Sequence, residues 1–292
     1  MDNSRGPIIT FFDFISAAVP KDRSVERVAS GLAYGSIERQ KLDIYRPRHT
    51  GGTPLPVIVF FYGGAWSDGT RRHYGFAAHA LASLGYVVVV PDYRLVPNVE
   101  YPEFLRDCAS AVHWVSREIA AHGGDPRRLV LAGHSAGAFN AASLALDPRW
   151  LADAAVQKCI VGAIGLSGPY DFFPFDGPIS IRVFGQAEDP ESTQPINHVD
   201  VQSPPMLLVS GGRDELVLPK NSLNLGAKLT AAGVSARVRI YPRLRHAGTL
   251  FALSLPLRWL APVRQDCSDF LAEVTAPRIA ARPEPAGAVA PR

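Results

Sequence analysis

Between the apolar run 129–132 and the small-residue stretch 138–146, the chain reads Gly133-His134-Ser135-Ala136-Gly137. The apolar run suits a buried strand and the small residues suit a helix. The five residues between them predict a tight strand-to-helix turn with a serine at its apex. Few folds accommodate such a turn. It lifts the serine side chain clear of both elements and strains the serine's own backbone. The positions two residues either side must be nearly free of side chain, and both are glycine. Ala136 opens the helix, so its N–H lacks an intrahelical acceptor and is aimed at the space above Ser135. A glycine-rich turn with an incidental serine would look the same in isolation, and the rest of the chain has to decide.

Strand-like runs recur at 41–47, 56–61, 86–90, 159–166, 206–210 and 236–241. Helical patterning occupies 74–84, 104–121, 223–232 and 263–274. Continuous β-branched runs such as Val87-Val88-Val89-Val90 suit strands buried on both faces. Buried strands alternating with helices predict an α/β fold, a mostly parallel central sheet with helices on both faces. No repeat or second core interrupts it, so a single domain over 1–275 is expected, with an N-terminal arm at 1–38. The Pro- and Asp-rich stretch of about 168–204 is expected to form a short cap over the site. The Ala-, Pro- and Arg-rich tail 276–292 is expected to be disordered.

With 47% hydrophobic and 20% charged residues and a net charge of +3, the composition fits a globular protein with a large core. No basic stripe interleaved with aromatics points to nucleic acid. The three cysteines are far apart in sequence and no CxxC, HExxH or zinc-type spacing occurs. Free thiols, a reducing compartment and no metal are therefore expected. The apolar segment 7–20 is interrupted by Asp13 and makes a poor secretory signal. It is shorter than the ~20 residues that span a bilayer. It reads as a helix or arm packed on the domain, with membrane-surface contact the weaker alternative, and the location expected is cytoplasmic.

A serine hydroxyl becomes a nucleophile only beside a base, usually an imidazole held by a carboxylate. With an elbow of this kind the chain order is serine, acid, histidine. Of the eight histidines, only His198 and His246 lie beyond the elbow. His198 falls in the expected cap, whereas His246 follows the final strand, on a loop at its carboxyl end. His246 is the expected base. The acid should follow the preceding strand, which points to Asp214, with Glu215 beside it as the fallback and Asp171 as a weaker candidate. Asp214 and His246 are 32 positions apart, room for one helix and one strand.

Gly63-Gly64-Ala65-Trp66 follows the buried strand 56–61. Two glycines let the backbone bend its N–H groups toward a developing negative charge. The expected oxyanion donors are Gly64 and Ala65, together with Ala136. Trp66, Tyr170, Phe172 and Phe173 are possible walls of a substrate pocket, and each could equally be core.

These residues together make the chain resemble the α/β-hydrolase family. The nearer likeness is to carboxylesterases of the hormone-sensitive-lipase type and to kynurenine formamidases, which share an HGG-x-W oxyanion motif. The resemblance runs from about 42 to 271 and includes Leu-Asp-Ile-Tyr at 42–45, Gly-Gly-Ala-Trp at 63–66 and Asp-Tyr-Arg at 92–94. One departure is Tyr62 where the motif histidine usually stands; a tyrosine hydroxyl could brace the loop in its place. Asp92 and Arg94 match a recurring family feature and read as a buried ion pair or loop brace. The resemblance implies a cofactor-free serine hydrolase for carboxylic esters, with a small-molecule ester as its partner. The short cap favours small or short-acyl esters. Arylformamide hydrolysis is the alternative, and a non-catalytic binding protein on a hydrolase fold is the reading from another class. Neither the natural substrate nor the oligomeric state is legible.

Overall fold

The computed structural model describes residues 19–276. Among them eight strands form one sheet: β1 (Val25–Ala33), β2 (Lys41–Pro47), β3 (Leu55–Phe61), β4 (Val87–Pro91), β5 (Gly124–His134), β6 (Ile160–Leu166), β7 (Met206–Gly211) and β8 (Ala236–Tyr241). Their spatial order is β1-β2-β4-β3-β5-β6-β7-β8. The β1–β2 and β2–β4 pairings are antiparallel, and all those from β4–β3 to β7–β8 are parallel. Both β4 and β7 are buried at every position. Successive side chains on a strand point to opposite faces, so such strands must be covered on both.

The cover comes from α1 (Gly75–Ala82), α2 (Glu103–Glu118), α3 (Ala136–Leu146), α4 (Ala154–Cys159), α5 (Pro178–Phe184), α6 (Lys220–Ala231), α7 (Gly248–Phe251) and α8 (Val263–Val274). In α2 the apolar stripe read from the sequence is the buried one: Leu105, Cys108, Ala109, Val112 and Val115. Each large side chain sealed in this way contributes ~1.5–3 kcal/mol. Arg264 on α8 donates to Ser83 at the end of α1 (2.9 Å), tying these two helices together. Among the described residues no helix is long and apolar enough to cross a membrane.

The stretch 1–38, expected as an arm, contains the edge strand β1. Register shifts at Arg27/Ala29 and Ala29/Leu32 break its alternation, and Gly31 adopts φ 69°, so no period-two pattern is visible in Val-Glu-Arg-Val-Ala-Ser-Gly-Leu-Ala. Up to residue 18 the apolar segment 7–20 lies outside the described residues, as does the tail beyond 276. At the other edge, Arg237 and Arg239 of β8 reach α8, pairing with Glu273 and with Asp266 (3.3 Å for the latter).

Asp92 and Arg94 do not pair with each other. Arg71 is buried between Asp43, whose Oδ1 lies 2.7 Å from Arg71 Nε, and Asp92, which also accepts from the Arg71 amide (2.7 Å). Arg94 instead grips Asp107 through Nε and Nη2, both at 2.8 Å, and reaches Glu103 at 3.0 Å. Both therefore act as braces, with partners the sequence does not reveal.

Candidate active site

The loops after β5, β7, β8 and β3 meet at the carboxyl rim of the parallel strands. At the β5–α3 junction Ser135 holds φ 55° and ψ −124°, a conformation costly for any residue but glycine. The surrounding contacts impose it. A Cβ on Gly133 would come 2.2 Å from the Gly137 carbonyl, and one on Gly137 would come 2.1 Å from the Phe61 carbonyl. The Ser135 amide donates to the Leu166 carbonyl at the end of β6 (2.8 Å). With its backbone held this way, Ser135 Oγ reaches out of the turn.

His246 Nε2 lies 2.8 Å from Ser135 Oγ, and His246 Nδ1 lies 2.8 Å from Asp214 Oδ2. The other oxygen of Asp214 accepts from the amides of Leu216 (3.1 Å) and Val217 (2.9 Å). Burial pushes the Asp214 carboxyl up, but the His246 hydrogen bond and charge and these two amides outweigh it. The group is left below its usual range, an anion fixed behind the imidazole. Glu215 points to solvent, 3.8 Å from Arg245. Asp171 is engaged by Asn224 (2.6 Å), and His198 bonds the Ser192 carbonyl (2.7 Å).

The glycine loop crosses in front of the elbow. A Cβ on Gly63 would come 3.0 Å from the Ser135 Cβ. The Gly63 amide is committed to the Tyr74 hydroxyl (3.1 Å). Gly64, Ala65 and Trp66 follow with φ of 131°, 52° and 55°. A Cβ at 64 would lie 2.2 Å from the Asp68 carbonyl, so only glycine fits there. Three successive left-handed residues form a tight coil whose Gly64 carbonyl accepts from Ser67 and Asp68, both at 3.0 Å. Among the described residues the amides of Gly64 and Ala65 have no hydrogen-bond partner.

Tyr62 is fully buried and stacked on Tyr93, centroids 4.6 Å apart. Arg39 Nη2 donates to the Tyr62 hydroxyl (3.0 Å) and to the Gly69 carbonyl (2.6 Å), while its Nε donates to the Tyr93 carbonyl (2.6 Å). The tyrosine in the motif histidine's place thus braces the loop together with Arg39, a residue sequence reasoning missed. A lone arginine 23 positions upstream of Tyr62 carries no local signal.

Trp66 is almost wholly buried. Its Nε1 donates to Asn140 (3.1 Å), and its ring packs edge-on against Phe139 and Phe184 at 5.2 and 4.9 Å. Phe172 joins the same cluster, 5.3 Å from Phe184. Tyr170 has no exposed surface and packs its hydroxyl against Gly165 and Gly168. Phe173 is exposed. The segment between β6 and β7 lies on the glycine loop, where Arg182 of α5 donates to Ser67 (3.0 Å). Among the described residues no group of three His, Cys, Asp or Glu side chains is placed to hold a metal ion.

A mostly parallel eight-stranded sheet with a serine on a strand-to-helix elbow defines an α/β-hydrolase fold. Solved structures share it: esterase B from Lactobacillus rhamnosis superposes with a TM-score of 0.76 at 18% identity, over 91% of this chain and 92% of that one. The family model BD-FAE matches residues 42–229, and the chain belongs to that family. Two Mycobacterium tuberculosis proteins are similar in sequence. Esterase LipQ is 31% identical over 277 residues, 87% of this chain and 64% of LipQ. Esterase LipC is 29% identical over 223 residues, 70% of this chain and 55% of LipC. The chain thus spans little more than half to two thirds of these relatives.

Proposed function

We propose that the protein is a serine carboxylic ester hydrolase acting through Ser135, His246 and Asp214. The observation that carries this reading is the pair of 2.8 Å hydrogen bonds linking hydroxyl, imidazole and carboxylate. The esterase names of LipQ and LipC support it. His246 Nε2 takes the hydroxyl proton as Ser135 Oγ bonds to the ester carbonyl carbon, and then delivers that proton to the leaving alkoxide as the C–O bond breaks. Asp214 keeps the imidazole in the Nδ1–H tautomer and stabilises the imidazolium. Water, deprotonated by His246, then attacks the acyl-enzyme, and the acid leaves as the imidazolium returns that proton to Ser135 Oγ. The amides of Gly64, Ala65 and Ala136 hold the oxyanion, each such donor contributing ~3 kcal/mol to the transition state.

For substrate we propose small or short-acyl esters. Trp66, Phe139, Phe172 and Phe184 fill the volume beside the glycine loop. Trp66 and Phe172 are the wall residues of this reading, and Tyr170 supports the wall from inside. The test is a panel of p-nitrophenyl esters of rising acyl length, with N-formyl-kynurenine alongside, for wild type and Ser135→Ala. Acetate and butyrate should turn over fastest, and Ser135→Ala should lose ~10³-fold or more. Equal rates on long chains would overturn the size argument. Preference for the formamide would move the activity to arylformamide hydrolysis, and undiminished turnover by Ser135→Ala would overturn the mechanism.

A further inference from the structure

The main-chain carbonyl of His246 is a point of convergence that the acyl-transfer chemistry does not itself require. His134 Nε2 and Thr249 Oγ1 each lie 3.3 Å from it. Thr249 Oγ1 is in turn 2.9 Å from Ser167 Oγ. A carbonyl has two lone pairs and can take both donors at once. With the single hydroxyl proton of Thr249 spent on the carbonyl, Ser167 must be the donor to Thr249. All three side chains are buried.

The chain places these groups where two supports share one strand end. Ser167 follows β6 with φ 50°, and its amide donates to the Val209 carbonyl (2.7 Å). The residue before it, Leu166, accepts the amide of Ser135. One residue at the tip of β6 therefore holds the nucleophile's backbone and the next holds the base's loop.

His134 is an unexpected residue for its position. Burial, helped by the neighbouring charge of His246, pushes its pKa down to about 3, so the ring stays neutral. Its Nδ1 has no hydrogen-bond partner among the described residues and lies against Gly63. An apolar ring would fill the same space without stranding a buried acceptor, which is costly. What a histidine adds is the Nε2–H donated to the His246 carbonyl. The loop is exposed at Pro242, Arg243 and Arg245, and while Asp214 and Ser135 hold the imidazole ring, the carbonyl clamp holds the main chain that carries it.

We propose that His134, Thr249 and Ser167 form a buried clamp on the His246 main chain that sets the imidazole between Asp214 and Ser135. These are positioning residues, and the proposal rests on the catalytic reading of Ser135, His246 and Asp214. The test compares Thr249→Val with Thr249→Ser, and His134→Met with His134→Gln, on p-nitrophenyl acetate. It also measures the rate of fluorophosphonate labelling at Ser135. Removing a donor should lower kcat and the labelling rate together by about tenfold to a hundredfold, as small misplacements of a catalytic group do, with KM unchanged. The serine and glutamine variants, which keep a donor in place, should recover most of the loss. A loss confined to KM, or no recovery by the conservative variants, overturns the clamp. If His134→Met does not fold, the nearly isosteric Thr249 pair decides. Ser135→Ala and His246→Ala separate the two levels. If both retain turnover, the reading of the site fails and the clamp with it. If both are inactive while Thr249→Val behaves as wild type, the clamp alone is overturned.

Discussion

Ser135 and His134, adjacent in sequence, are held in opposite circumstances. One is strained and partly exposed, and the other is sealed and uncharged. The second state has a thermodynamic signature. The folded His134 resists protonation down to a pH of about 3, whereas an unfolded histidine titrates near its ordinary 6.5. Below 6.5 the unfolded chain therefore binds a proton that the folded chain refuses. The stability tied to this group is fully present above that value and declines as pH falls toward 3. Thermal unfolding of wild type and His134→Met at a series of pH values should show wild type losing ground steadily between about 6.5 and 4 relative to the variant. A difference in Tm independent of pH over that window would show that the ring is not held neutral.

At the scale of elements, α5 is the least expected component, and under the proposed reading it backs the wall that would limit acyl length. Seven residues long, it drives Phe184 into a nest of Trp66, Phe139, Phe172, Phe175, Tyr101 and Phe104. Phe184→Ala should cost about 3–5 kcal/mol in chemical denaturation, the range for a large buried aromatic. The p-nitrophenyl panel should show a wider range of accepted acyl lengths for the same variant. A strand-like period hides such a helix in sequence, since Pro178-Ile-Ser-Ile-Arg-Val-Phe184 alternates apolar and polar residues. Strands β3, β4 and β7 were legible because burial on both faces demands unbroken apolar or β-branched runs, and the edge strand β8 because its apolar and charged residues alternate. The β1 strand was not, because its bulges erase the alternation. Ser135, Asp214 and His246 could be named because chain order and loop position restrict the choice. Glu215 could be separated from Asp214 only by seeing which carboxylate turns inward. The partners of Arg39, Arg71 and Arg94 were beyond reach, since tertiary ion pairs leave no local pattern.

At the scale of the molecule, the antiparallel edge and the reactive rim are mechanically joined through one guanidinium. Arg71 follows the glycine loop directly and is locked to Asp43 on β2 and to Asp92 after β4. Asp43 also accepts from the Gly31 amide in β1 (2.8 Å). Arg71→Met would leave two buried carboxylates facing each other, which should cost about 3–5 kcal/mol by urea denaturation. Ester turnover should fall in the folded fraction as well, because the loop at 63–69 loses its anchor. Unchanged turnover per folded molecule would show the two regions to be independent. The far edge has a different consequence. Because Arg237 and Arg239 are drawn onto α8, the last strand carries fixed cations along a border whose backbone would otherwise welcome another chain. Laying a second copy along that border would strip water from these ion pairs without offering them new partners, so the unfinished edge discourages strand addition by its own copy.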